Sequence, residues 1–202
     1  DLAKEAIRLI ELVLGNPRVA TPNIHALAAL MYFQASRFPA RVSDDGLMTV
    51  LGEQNRDLWD KTLIAKGLAH LNAASGPGAL SRYHCEAGIA AAHAQANAME
   101  DTDWGYIVEM YEVLERIEPS PVISLNRAVA VARRDGPVAG LKIAKSLARD
   151  PALRAYRLLP AILGALSDGL GTGIDQLALK ASLDGFASIA FAASMGWGVI
   201  AS

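Results

Sequence analysis

The feature that most constrains this fold is a helical spacing of apolar residues, broken at intervals by proline and glycine. Leu2, Ala6, Leu9 and Val13 recur at steps of three and four residues, which places them on one face of a helix. Similar stripes recur along the chain, and short turns that contain proline or glycine separate them. The pattern predicts an all-α fold of about eight to ten helices, packed as antiparallel pairs.

The predicted helices follow one another like the units of a helical repeat. Thr21 and Thr102 are predicted N-caps, while Pro121 and Pro151 each restart a helix about thirty residues apart. Helix pairs that restart at this spacing are typical of tetratricopeptide-like units, which stack into a right-handed helical array. An ordered loop is expected between the second and third helices, at 38–55. Further helices are predicted at 22–37, 57–74, 80–98 and about 138–148.

Charge and cysteine content narrow the classes of function. The net charge is −2, and no segment forms a basic face, so we expect no direct contact with nucleic acid. Cys85 is the single cysteine, which rules out an internal disulfide and suits a reducing, cytoplasmic location. The start of the chain has neither an initiator methionine nor a signal-peptide pattern, and we expect the sequence to be a piece of a longer protein.

The last part of the chain changes in composition. Residues 185–202 contain no charged side chain, and their length is at the short end of a membrane span. Two interpretations remain open, a membrane-associated segment and a buried terminal helix. After about residue 157 the apolar residues do not form one stripe, so loose packing against the preceding helices is expected. The sequence thus predicts a helical interaction domain at 1–156 and an apolar tail at 157–202.

Few residues have the types and spacing that catalysis or metal binding requires. His84, Cys85, Glu86 and His93 include potential metal ligands, but no two histidines are four residues apart on a helix. The glycines at 169–173 follow no predicted strand and precede no Gly-Lys-Ser/Thr motif, so they predict a connection. We therefore predict no catalytic residues, no metal and no cofactor.

Several motifs in succession resemble one bacterial family. These are Phe38-Pro39-Ala40-Arg41-Val42, Gln54-Asn55-Arg56-Asp57-Leu58-Trp59-Asp60, Asp101-Thr102-Asp103-Trp104, Pro119-Ser120-Pro121-Val122 and Leu125-Asn126-Arg127-Ala128-Val129-Ala130. In their order and spacing they resemble the C-terminal tetratricopeptide-like domain of an extracytoplasmic-function sigma factor. The resemblance implies a non-catalytic regulatory domain that contacts sigma modules or RNA polymerase during transcription initiation.

The chain also departs from that family. Leu47 stands where the family usually has an acidic residue, and Asn55 stands where it usually has aspartate. No stretch of these 202 residues resembles the two sigma modules that bind polymerase and promoter, so we do not expect these residues alone to act as a complete sigma factor. After about residue 160 the chain instead resembles uncharacterised bacterial inner-membrane proteins, which keeps open a membrane-tethered helical domain.

The partner-binding residues are predicted from the motifs and from side chains able to make specific contacts. Trp59 and Trp104 are also expected to anchor the core, and the Asn126-Arg127 pair is also expected to link neighbouring helices. The predicted set is Asp44, Asp45, Arg56, Trp59, Asp103, Trp104, Asn126 and Arg127.

Overall fold

The computed structural model describes residues 2–41, 49, 51–153, 156 and 159–169. Within these residues the fold is all-α, as predicted, with eight α-helices and no β-strand. Four short 3-10 turns connect them, at Phe38–Ala40, Leu51–Glu53, Arg56–Leu58 and Pro151–Leu153. The helices are α1 Leu2–Leu14, α2 Pro22–Ser36, α3 Lys61–Ala74, α4 Arg82–Gln95, α5 Trp104–Ile117, α6 Pro121–Asp135, α7 Pro137–Leu147 and α8 Leu159–Ser167.

The chain divides into two compact units. Unit 1 comprises residues 1–49 and 53–120 and contains α1 to α5, whereas unit 2 comprises residues 50–52 and 121–202 and contains α6 to α8. The two units divide after Ser120, whereas the sequence predicted a boundary at residue 156. The predicted boundary followed a change in composition along the chain. The apolar tail at 185–202 lies outside the described residues.

Unit 1 is built around α2. This helix packs against α1, α3 and α4, and α4 in turn packs against α5. Ala29, Leu30, Tyr32 and Phe33 are almost completely buried, because neighbouring helices cover α2 on several sides. Gly67 lets α3 approach closely, since a Cβ there would lie 2.7 Å from the Phe33 ring. The end of α2 and the helices around it position the candidate site.

The starts of α3 and α5 differ from the sequence prediction. A single helix was predicted at 57–74, but α3 begins at Lys61, because the Asp60 carboxylate accepts hydrogen bonds from the amides of Thr62 and Leu63. Thr102 was predicted to cap α5, which is wrong. Asp103 is the N-cap, and its carboxylate accepts a 2.9 Å hydrogen bond from the Tyr106 amide.

Unit 2 contains the helix pair that the sequence predicts most clearly. Gly136 turns the chain between α6 and α7 with a φ of 96°, a conformation that glycine adopts readily. Pro137 occupies the first turn of α7, where its missing amide hydrogen costs no helical hydrogen bond. Gly140 then brings α7 close to α6, because a Cβ there would overlap the α6 backbone. The predicted antiparallel pair is therefore formed.

Helix α8 packs better than its composition suggested. Leu159, Ile162 and Leu166 are buried in the same apolar core as Leu125 of α6 and Ala144 of α7. The expectation of loose packing is wrong for this helix, because its buried residues are spaced by three and four and form one stripe. None of the eight described helices is both long and apolar enough to cross a membrane.

Candidate functional site

The candidate site begins at the C-terminal end of α2 in unit 1. Arg37 is the C-cap of this helix, and the 3-10 turn containing Pro39 follows it directly. The Arg37 side chain folds inward and is only 6% exposed. Its Nε donates a 3.3 Å hydrogen bond to Gln54 Oε1, and Gln54 Nε2 donates to the carbonyl of Thr49. A cationic group is thus held within the protein by a neutral amide.

A second arginine reaches the same place from the loop before α3. Nη1 of Arg56 donates to the carbonyls of His93 and Ala96, at 2.5 and 2.8 Å. These carbonyls lie at the C-terminal end of α4, where the helix dipole favours a positive charge. Arg56 therefore links the loop to α4 through backbone acceptors.

The indole of Trp59 lies next to both guanidinium groups. The guanidinium carbon of Arg56 is 4.9 Å from the ring centroid, and that of Arg37 is 5.4 Å from it. Both distances allow a cation–π attraction, which is stronger when the groups are shielded from water. Trp59 is only 2% exposed. We call Arg37, Arg41, Arg56 and Trp59 the arginine–tryptophan cluster.

Arg41 completes this cluster at its more open side. Its Nη2 donates a 2.9 Å hydrogen bond to Gln34 Oε1, and its guanidinium carbon lies 4.8 Å from the Phe38 ring centroid. The side chain is half-buried, and burial lowers the pKa of its guanidinium. Arg41 brings a third positive charge to the cluster.

His93 connects the cluster to Trp104. The two rings meet edge to face, with centroids 5.3 Å apart. Desolvation lowers the pKa of His93 to about 3, and the positive charges of Arg37 and Arg56 contribute to the shift. His93 is therefore neutral at physiological pH and supplies packing and a backbone acceptor.

The structure brings together some of the predicted partner-binding residues. The Arg56 guanidinium contacts the Trp59 ring. Trp104 packs against the ring of His93, whose carbonyl accepts a hydrogen bond from Arg56. Asp103 is exposed and caps α5, whereas Asn126 and Arg127 lie on α6 in unit 2. Asn126 is 8% exposed, and its buried Oδ1 has no hydrogen-bond partner in the part of the chain that the structure describes. Asp44 and Asp45 lie outside the described residues.

Arg37, Arg41 and His93 were not predicted as site residues. The available signal was a pair of arginines four residues apart around Pro39, with a further arginine at position 56. No local pattern showed that these side chains would be buried near one another.

The residues considered for metal binding have other roles. The Ser81 amide donates to Nδ1 of His84 at 3.2 Å, which helps to cap α4, and Glu86 forms a 2.8 Å ion pair with Arg82. Cys85 is completely buried, and burial raises the pKa of its thiol to about 11. Within the described residues, no three potential ligand side chains come together as a metal site.

A second candidate surface in unit 1 is an open groove of about 600 Å³. The start of α2, the end of α3 and the connection to α4 form its walls, together with side chains of α4 and α5. The lining is largely apolar or small, and includes Pro22, Leu71, Leu80, Tyr106 and Met110. Leu80 and Tyr106 are among the exposed large apolar side chains. Such a lining suits contact with an apolar segment or ligand.

Comparisons with known proteins place matches at both ends of the chain. Residues 1–75 match a family of unknown function, DUF6596. This range includes all four residues of the arginine–tryptophan cluster. Residues 160–202 match a protein family of unknown function, DUF554. The second match starts close to the composition change at residue 157. No solved structure matches the chain.

One curated relative aligns with most of the chain. It is uncharacterized protein R00370 of Rhizobium meliloti (strain 1021), and it is 40% identical over 171 residues. The alignment covers 85% of this chain but 40% of the relative. The chain therefore spans well under half the length of the relative it matches.

Proposed function

We propose that this chain is a non-catalytic contact region of a longer protein that resembles an extracytoplasmic-function sigma factor. Its role would be to bind attached sigma modules, RNA polymerase or a regulator during transcription initiation. The observation that carries the proposal is the meeting of three resemblance motifs in unit 1. Arg41, Arg56 with Trp59, and Trp104 come from separate motifs and lie in or beside the arginine–tryptophan cluster.

The helical architecture supports a mechanism based on contact. Paired helices present grooves and exposed faces to a partner, and the groove beside Leu80 and Tyr106 is one such surface. The Rhizobium meliloti relative extends well beyond the aligned part. That additional length would accommodate further modules, which agrees with a role as one region of a larger regulator. The proposal includes no direct contact between this chain and DNA.

A binding experiment tests this function directly. The purified chain would be immobilised and titrated with bacterial core RNA polymerase, with and without extracytoplasmic-function sigma modules. The variant Asp103→Asn removes an exposed charge but keeps a residue type that caps helices well. We expect it to weaken binding about three- to tenfold at an unchanged melting temperature.

Asp168→Asn is the matched control, because Asp168 is also exposed but lies in unit 2 outside the predicted site. This control should bind like the native chain. If neither polymerase nor sigma modules bind the native chain, the proposed function is wrong. Equal binding by both variants would reject Asp103 as a contact residue.

The tail favours a second candidate function, a membrane-tethered helical domain. Residues 185–202 are uncharged, and the region after residue 160 resembles inner-membrane proteins. The test compares the full chain with a version ending at residue 169, both expressed without detergent. Tethering predicts that only the shortened version is recovered in the soluble fraction, while recovery of both would exclude an obligatory anchor.

A further inference from the structure

The arginine–tryptophan cluster concentrates three positively charged side chains in one part of unit 1. Among the described residues, none of its three guanidinium groups forms an ion pair with a carboxylate. Their hydrogen-bond acceptors within this part of the chain are amide oxygens of glutamine side chains and backbone carbonyls. Buried charges in proteins are usually paired or coordinated, because the loss of hydration is costly. The cluster departs from that rule.

Several donors of the cluster also lack a hydrogen-bond partner. Nη2 of Arg37, Nε of Arg41, Nη2 of Arg56 and Nε1 of Trp59 are all buried and have no acceptor among the residues that the structure describes. Most buried polar groups in folded proteins are hydrogen-bonded, and an unsatisfied donor typically costs about 1–3 kcal/mol. Four such donors within one cluster indicate a site suited to an acceptor from outside these side chains.

The electrostatics favour an acceptor with negative charge. The pKa of Arg37 is lowered to about 9, mainly by burial and in addition by the positive charges of Arg41 and Arg56. The carboxylates of Glu100 and Asp101 act in the opposite direction on Arg56, but neither forms an ion pair with it. An anion among the three guanidinium groups would relieve their mutual repulsion.

We propose that the arginine–tryptophan cluster binds a small oxyanion, a phosphate or carboxylate group, between Arg37, Arg41 and Arg56. Guanidinium groups bind both groups through paired hydrogen bonds, with a planar arrangement of donors that lysine lacks. Arg37 provides the buried end of the site, and the half-buried Arg41 and Arg56 flank it. The site does not depend on the proposed role in transcription.

Thermal unfolding with inorganic phosphate tests the proposal. We expect about 50 mM phosphate to raise the melting temperature of the full chain by on the order of 5 °C, compared with chloride at the same ionic strength. Acetate at the same concentration tests whether a carboxylate is accepted as well. The site is rejected if phosphate and acetate both leave the melting temperature at its chloride value.

Variants show whether the response comes from the cluster. Arg37→Met keeps a long side chain but removes the buried charge, so it should abolish the response without lowering stability in chloride. Arg37→Lys should retain only part of it. If Arg37→Met does not fold, the less buried Arg41→Gln serves as the second variant and should reduce the response. Arg134→Met is the control, because Arg134 is exposed in unit 2 and should respond like the native chain.

A further variant distinguishes an external anion from one supplied by the chain. Asp44 and Asp45 follow Arg41 closely in sequence and lie outside the described residues. In the double variant Asp44→Asn/Asp45→Asn, the phosphate response should equal that of the native chain. A response seen only in the double variant would overturn the proposal, as would a full response in Arg37→Met.

Discussion

The contact between α6 and α7 gives the sharpest prediction about stability. Gly140 lies at the point of closest approach, and a Cβ placed there would lie 2.5 Å from Ala132 Cβ and 3.1 Å from Ala132 Cα. It would also overlap the carbonyl oxygen of Ala128. Because backbone atoms are involved, Gly140→Ala can be accommodated only if the two helices move apart.

The size of the effect follows from two opposing contributions. Overpacking in a well-packed core costs about 1–3 kcal/mol, and a clash with backbone is expected at the upper end of that range. Replacing glycine by alanine inside a helix recovers about 1 kcal/mol. We therefore expect Gly140→Ala to lower the free energy of unfolding by about 2 kcal/mol.

Gly164→Ala is the matched control in the same unit. Gly164 is an exposed position of α8, and a Cβ there would meet nothing within 4 Å. Only the helix propensity changes, so the free energy of unfolding should rise by up to about 1 kcal/mol. Urea denaturation followed by far-ultraviolet circular dichroism measures both variants. If Gly140→Ala is as stable as Gly164→Ala, the close approach of α6 and α7 is refuted.

Three further predictions concern unit 1. The pKa of His93 is lowered to about 3 in the folded state, so neutral His93 stabilises the fold fully above pH about 6.5. This stabilisation is lost as the pH falls towards about 3, by at most about 1.4 kcal/mol per pH unit. Denaturation at several pH values should therefore show a shallower slope for His93→Leu. Asp60→Ala removes two capping hydrogen bonds from α3 and should cost about 1 kcal/mol in a urea titration. Trp59→Ala should lower the free energy of unfolding by about 3–5 kcal/mol, more than Trp104→Ala, because only Trp59 is fully buried; equal costs would contradict this difference in burial.

Local signals made some elements predictable from the sequence. The α6–α7 pair follows from Gly136, Pro137 and one apolar stripe, all of which act within a few residues. The start of α3 was harder, because Asp57 and Asp60 are both suitable caps. The choice depends on a distant contact, since the Asp60 amide donates to the carbonyl of Ser36. A helix boundary that depends on tertiary contacts cannot be found from propensity alone.

The candidate site was predictable only in part, for the same reason. Arg56 and Trp59 belong to one short motif, so both could be predicted as partner-binding residues from the sequence. Arg37 was not predicted as a site residue, because an arginine that follows a helix is ordinarily solvated. Only the fold shows that Arg37 is buried. The role of His93 depends on its carbonyl, which accepts from Arg56, and a side-chain pattern carries no such information.

Hydrogen exchange in the presence of a partner would show whether this chain acts by binding other proteins. Amide exchange would be measured for the full chain alone and with saturating core RNA polymerase, in the presence and absence of sigma modules. We expect slower exchange in the segments around Arg56 to Asp60 and Trp104, with little change in α8. Unchanged exchange throughout the chain, with either partner, would show that neither partner binds it.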